Sequence, residues 1–287
     1  MSTPTTPTAS RKPLTPEHKA HLVEHLRFYR ELGIYDLYRR GEAPILTAEE
    51  IAAFTAAEAA PRIPQATPVP APQEEAEIAP RKPFPAQPAI SEPVPAAEHA
   101  AALQLIRDEI GDCQRCTLAA GRNKLVFADG DPNARLMFVG EGPGADEDAQ
   151  GLPFVGRAGQ LLNNMIAAMG LSRESVYIAN IVKCRPPANR TPEPEEAHTC
   201  TQFLFRQIDV VRPEVVVALG ATAATYLMGA KSPLSALRGS VHPFRGTKLI
   251  VTYHPAFLLR DPRQKGEAWK DLQLAMAELG LEAPKRG

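Results

Sequence analysis

The chain is 287 residues long, enough for one large domain or two small ones. Its 32 Lys plus Arg against 33 Asp plus Glu leave a net charge of −1, which excludes a globally basic or acidic protein and makes any basic surface local. Hydrophobic residues make up 44%, but 29 prolines and 6% aromatics mark part of the chain as non-globular. No apolar run reaches the ~20 residues of a bilayer span, and the start, MSTPTTPTASRKP, has no signal-peptide core, so a cytoplasmic protein without membrane association is expected.

Residues 1–60 read as a helical appendage. Within them Pro16–Arg40 places Leu22, Leu26, Tyr29 and Leu32 at helical spacing, with Gly33 a break point. Such a helix either packs weakly on the main domain or docks a protein partner. Residues 61–97 form a disordered linker: 11 prolines fall in the 35 positions from Pro61 to Pro95, and neither a helix nor a strand ladder survives that density. Residues 98–287 are the folded domain. The formal charge is −3 over residues 1–99 and +2 over the rest, so the domain is mildly basic.

From residue 98 onward, short apolar runs alternate with helical segments. The runs Arg135–Val139, Val176–Ile181, Glu214–Leu219 and Lys248–Tyr253 have the length and apolar character of buried parallel strands. Helices are expected near Gly156–Met169, Pro194–Val211, Ala221–Leu227 and Lys265–Leu279. Strand then helix, repeated, predicts an α/β fold: a three-layer αβα sandwich with a four-stranded, mostly parallel central sheet. Ligands of such sheets bind beyond the carboxyl ends of the strands.

After the first strand comes Gly140-Glu141-Gly142-Pro143-Gly144-Ala145-Asp146-Glu147-Asp148. Its glycines allow close backbone approach to a ligand. A phosphate loop of the GxGxxA kind is the competing reading, but the acidic run at 146–148 repels a pyrophosphate and Pro143 has no amide hydrogen to donate. Phe154, between Pro153 and Val155-Gly156, is a core phenylalanine in most proteins. Asn180 ends the second strand with one acceptor and two donors, suited either to a ring amide or to nearby backbone. His254 follows the fourth strand as a usable acid, base or donor. Leu258, Leu259 and Arg260 read as a wedge with a phosphate contact, or as the first turn of a helix.

The four cysteines form two pairs, Cys113-x2-Cys116 and Cys184-x15-Cys200. A four-thiolate site serves structural Zn²⁺ or an iron–sulfur cluster, and spacing alone does not separate them. A redox CxxC leaves the second pair unexplained.

Together, Cys-x2-Cys, GEGPGADED, GLPFVGRAGQLL, NIVKCRPPANRTP, the fourth Cys and HPAFLLR resemble the family 4 uracil-DNA glycosylases of bacteria and archaea, over about Ile110 to Leu279. The resemblance implies a base-excision repair hydrolase that breaks the N-glycosidic bond of uracil in single- or double-stranded DNA, without a lyase step, acting as a monomer. It tips the metal choice to a structural [4Fe-4S] cluster on Cys113, Cys116, Cys184 and Cys200, with Zn²⁺ second. It implies Glu141 on the attacking water, backbone at Gly142 lining the base, Phe154 stacked on uracil, Asn180 reading N3–H and O4, and His254 on O2. Glu147 would exclude the thymine methyl, and Asn189 would lie near the sugar or water. A related branch traps its product through a His in that loop, and Asn189 implies turnover instead. Arg157, Lys183, Arg185, Arg190, Arg238, Leu258 and Arg260 are the expected DNA contacts. The first loop is GEGPG and not GQDPYH, so the Asp water activator of the best-known uracil glycosylases is absent. Two other classes compete: a nucleotide-binding module, and a non-enzymatic iron–sulfur adaptor held to replication machinery by the appendage.

Overall fold

The computed structural model describes residues 84–282. The expected helix at Pro16–Arg40, the appendage at 1–60 and the linker up to residue 83 lie outside the described residues. Six strands form one sheet: β1 (Asp129–Gly130), β2 (Leu136–Gly140), β3 (Tyr177–Asn180), β4 (Val215–Leu219), β5 (Val241–Phe244) and β6 (Thr247–Thr252). Their order is β1-β3-β2-β4-β6-β5, with β3, β2, β4 and β6 parallel and the two edges antiparallel. The four expected strands are the parallel ones. The expected count of four is corrected to six by the edges. β1 is only an Asp-Gly pair, which reads as a turn. β5 carries His242 and Pro243 and is largely exposed, so it lacks an apolar pattern; an edge is where a strand tolerates proline.

The helices are α1 (His99–Ile110), α2 (Ala145–Gln150), α3 (Arg157–Ala168), α4 (Pro194–Val211), α5 (Ala221–Met228), α6 (Leu234–Leu237), α7 (Pro255–Arg260) and α8 (Lys265–Glu278). None is long and apolar enough to cross a membrane. Alternate residues of each strand point to opposite faces. Met137, Val139, Val216 and Ala218 pack with α1, α4 and α5, whereas Leu136, Phe138, Val215 and Val217 pack with α3 and α8. Those two apolar clusters make the three-layer sandwich. α4 starts where Pro194 supplies a helix-ready φ and Glu196 accepts from the Glu193 amide at 2.7 Å; it stops at Arg212, in the left-handed region at φ 47°.

The register fixes where chemistry can gather. Gly140 pairs with Asn180, and Leu219 pairs with Thr252, so the four parallel strands end on one rim. The chain runs from β2 outward to β3 and then crosses to β4 on the other side. The rim between β2 and β4 is thus the topological switch point at which α/β sheets bind ligands.

The C-terminal part of the expected linker is held on the domain. From Phe84 to Pro95 it has no regular secondary structure, as its prolines dictate. Yet Phe84 packs edge-on against His198 and Tyr226, at 5.4 and 5.9 Å between ring centroids, and Gln87 donates to the Leu227 carbonyl at 2.6 Å. Arg245 and Asp209 form a buried ion pair whose side chains are 5% and 2% exposed. Arg245 also donates to the Pro88 carbonyl at 2.7 Å, and Asp209 accepts from the Ser91 amide at 3.0 Å. Cutting the chain at residue 97 strips these partners from a buried pair, a change that costs about 1–3 kcal/mol per unsatisfied group. Deletion of residues 1–97 is therefore expected to lower the melting temperature by roughly 5 °C relative to deletion of residues 1–83. Equal melting of the two truncations, by calorimetry, would contradict the strap.

Candidate active site

Beyond the strand ends lies a cavity of about 590 Å³ lined by the loop after β2, Phe154, Asn180, the loop before α4, and His254 with α7. Gly140, the last residue of β2, makes it possible. A Cβ there would come within 2.5 Å of both the Asn180 amide oxygen and the Phe154 ring. Phe154 has φ 53°, a strained value for a bulky residue. Arg173 holds it there, donating to the carbonyls of Phe154 (3.0 Å) and Pro153 (2.5 Å) and pairing with Asp129 (2.7 Å). Gly159 clears the other side, since a Cβ on it would meet the Phe154 carbonyl oxygen at 1.9 Å. Sequence reading did not single out Arg173, which lies far along the chain from the loop it braces.

Asn180 is 2% exposed, and its Oδ1 has no hydrogen-bond partner among the described residues. A buried acceptor left unpaired is unfavourable unless a ligand donor fills it. His254 caps α7: its Nδ1 accepts from the Ala256 amide at 3.1 Å, which places the ring proton on Nε2. Burial, aided by the charge of Arg260 and opposed by Glu147, lowers its pKa to about 4. The imidazole is thus a neutral donor at physiological pH. Its ring centroid lies 5.7 Å from that of Phe154.

Two glutamates act differently. Glu147 accepts from the Gly144 amide with one oxygen (3.1 Å) and from the Val155 and Gly156 amides with the other (2.9 and 3.0 Å). It lines the cavity while tying the glycine loop to the Phe154 loop. Glu141 accepts from Thr222 Oγ1 at 2.5 Å, a bond across the switch point from the end of β2 to the first turn of α5. Thr222 was missed by sequence reading because a threonine in a helix start carries no motif. Asn189, with φ 56° after Ala188 at φ 52°, borders the cavity and accepts from Arg185 at 2.8 Å.

All four cysteines are free and line one small cavity between the end of α1, the segment after β3 and α4, with Lys183 and Phe203. Arg115 donates to Cys113 Sγ (3.3 Å), Arg122 to Cys184 Sγ (3.0 Å), and the Lys183 amide to Cys200 Sγ (3.3 Å). Burial pushes the thiols of Cys184 and Cys200 up, the latter to about 12, while Arg122 and Lys183 pull the other way. Sulfurs that accept hydrogen bonds from cations suit the thiolate form that binds metal. Among the described residues, no three His, Cys, Asp or Glu side chains converge as one ion requires.

A family model described as the uracil DNA glycosylase superfamily matches residues 127–273, just over half of the chain. The type-4 uracil-DNA glycosylase of Thermotoga maritima is 45% identical over 161 residues, covering 55% of this chain and 84% of that one. The chain belongs to the uracil-DNA glycosylase superfamily. Type-4 relatives match it at higher identity and over more of their length than the type-5 relative compared with them. The type-4 enzyme of Archaeoglobus fulgidus is 42% identical over 184 residues (61% of this chain, 92% of that one), against 35% over 144 residues for the type-5 enzyme of Pyrobaculum aerophilum (44% and 63%).

The residues expected to touch DNA divide in this glycosylase fold. Arg157 and Arg260 are exposed on the cavity rim and form no ion pair among the described residues. Arg185 is half-buried and committed to Asn189. Lys183 is corrected: it is 1% exposed, its Nζ donates to the Asn180 carbonyl (3.0 Å) and Gln207 (2.6 Å), and burial lowers its pKa to about 8. Arg238 is corrected too, being enclosed between Asp271 (2.7 Å) and the Tyr253 ring (4.0 Å). Arg190 borders the cavity but is paired with the buried Glu196 at 2.7 Å. Leu258 is 1% exposed and part of the packing; Leu259, 37% exposed, is the leucine that α7 presents to solvent. The helical periodicity of α7 decides between the two, and the chain order alone did not.

The lowered pKa of His254 has a stability consequence. The native state takes up that proton only below about 4, whereas the unfolded chain does so below about 6.5. Between those values the unfolded state binds more protons, so stability is full above 6.5 and falls as pH drops through the window. His254→Ala is expected to remove this part of the pH dependence. Urea unfolding of both proteins at pH 7 and pH 4.5 checks it, and parallel losses would contradict the assignment.

Proposed function

We propose that the protein excises uracil from DNA, hydrolysing the N-glycosidic bond and leaving an abasic site, with no lyase step. The observation that carries this is that Asn180, whose buried Oδ1 has no partner among the described residues, lines one cavity with Phe154 and the neutral His254. A base flipped from the helix, at a cost of a few kcal/mol, enters this cavity. Phe154 stacks on it. Asn180 accepts from N3–H through Oδ1 and donates to O4 through its amide; cytosine offers an acceptor and an amino group at those positions, leaving both sides mispaired.

As the N1–C1′ bond breaks, its electron pair leaves on uracil, and the growing negative charge at O2 meets the Nε2–H of His254, a donor set in place beforehand. A water bonds to C1′, and the proton it gives up ends on the departed uracil anion, so that neutral uracil and the abasic sugar are the products. Glu141 orients that water, with Thr222 fixing one carboxylate oxygen and leaving the other for it. A lyase step needs an amine to attack the sugar. Among the described residues the cavity lining holds no lysine, and the Lys183 Nζ donates to the Asn180 carbonyl and Gln207. Glu147 borders the cavity with both oxygens engaged, a rigid wall suited to refusing the thymine methyl. Arg157 and Arg260, with Leu259 beside them, form the DNA-facing rim.

Cys113, Cys116, Cys184 and Cys200 would hold a [4Fe-4S] cluster. Four sulfurs lining one cavity supply the four thiolates such a cluster needs. When bound, the cluster supplies a structural cross-link and no redox step. That link joins the segment after α1 to the loop bearing Pro186 and Asn189 at the cavity edge.

The test is base release from oligonucleotides carrying one uracil, thymine or cytosine, scored by alkaline cleavage. Cleavage at uracil alone is expected; none at uracil from protein with full iron content would contradict the proposal. Thr222→Val is expected to lower the single-turnover rate about 10-fold or more with DNA affinity unchanged, and Thr222→Ser to retain most of it. Cys184→Ala is expected to lose the cluster absorbance and to melt at lower temperature.

A further inference from the structure

Lys183 is the one lysine or arginine among the fully buried residues described, at 1% exposure, and no carboxylate pairs with it. Its Nζ has two neutral acceptors, the Asn180 carbonyl and Gln207 Oε1. A buried ammonium without a counter-charge is strongly unfavourable, so such residues are almost always paired. Sulfurs lie beside it: Cys184 follows it in the chain, Cys200 Sγ accepts from its backbone amide, and both line the cavity that Lys183 also lines.

The same residue reaches the pocket. Cys200 and Gln207 lie seven residues apart on one face of α4, and Gln207 donates onward to the Tyr177 hydroxyl at 3.1 Å, at the start of β3. Lys183 therefore fastens the last carbonyl of β3 to the helix that carries the fourth cysteine. Asn180, whose carbonyl it grips, is the residue whose Oδ1 faces the cavity.

We infer that Lys183 is a positioning residue that couples the four-cysteine site to base reading: it lines the sulfur cavity and gives its amide to Cys200 on one side, and its Nζ holds Asn180 in place on the other. This rests on the proposed reading of the cavity as a uracil pocket. A lysine suits the position because a long donor must span from the sulfur cavity to the strand end and to Gln207.

The experiment compares full-length wild type, Lys183→Met, Gln207→Met and Asn180→Ala, each with iron content and circular dichroism recorded. Binding is measured to an oligonucleotide carrying one 2′-fluoro-2′-deoxyuridine, a slowly cleaved analogue, and to its cytosine counterpart. Lys183→Met is expected to lower the uracil-over-cytosine binding preference about 10-fold, close to Asn180→Ala, and to lower the single-turnover rate per folded molecule similarly. Gln207→Met, the milder change, is expected to lose several-fold, and the double variant to be no worse than Lys183→Met alone. If Lys183→Met does not fold, the same preference measured on Gln207→Met decides. A preference within twofold of wild type in the folded Lys or Gln variants, with Asn180→Ala impaired, would overturn this inference and leave the uracil pocket standing. An unimpaired Asn180→Ala would overturn the pocket reading itself.

Discussion

The site depends on the missing side chain at Gly140. β2 and β3 pair in parallel so that Gly140 lies beside Asn180, and there the Phe154 ring and the Asn180 amide occupy the volume that a Cβ would claim. Any other residue at 140 would push the ring off its wall or turn the amide away. Phe154 in turn sits at a positive φ that is tolerated only because Arg173 bonds two successive carbonyls and Gly159 leaves space beneath. The strain is confined to the residue that meets the ligand, and the cost is carried by contacts formed well outside the cavity.

A second constraint is where the cations go. The domain carries only a small positive excess, and much of its basic inventory is spent internally. Arg245 latches the strap through Asp209, Arg238 joins the β6 side to α8 through Asp271, and Lys183 lies between the sulfurs and the strand end. Breaking a buried pair of this kind costs more than its formation gains, so these residues fix geometry first and stability second. Among the described residues, Arg157 and Arg260 are the cavity-lining arginines that are exposed and without an ion pair.

Much of this was legible in the sequence. The four parallel strands and the helices α3, α4, α5 and α8 stand out because buried runs and 3.6-residue periodicity are local signals. Asn180 and His254 stand at strand ends, where an α/β sheet places ligands, the resemblance adds Gly142 and Phe154, and all four line one cavity. The edges β1 and β5 were not legible, since two residues and a Pro-containing exposed strand carry no apolar pattern. Thr222 and Arg173 act across long sequence separations, so no motif marks them. Lys183 and Arg238 were expected on the DNA face for one physical reason: charge is visible in a sequence and burial is not. Lys183 beside Cys184 and Leu258 beside Leu259 are both decided by which way the local backbone turns.

The most direct measurement is a crystal structure of the protein soaked with free uracil. The account predicts the ring stacked on Phe154, with N3 about 2.7–3.2 Å from Asn180 Oδ1 and O2 facing His254 Nε2. Uracil bound elsewhere, or bound with the Asn180 oxygen still unpartnered, would contradict it.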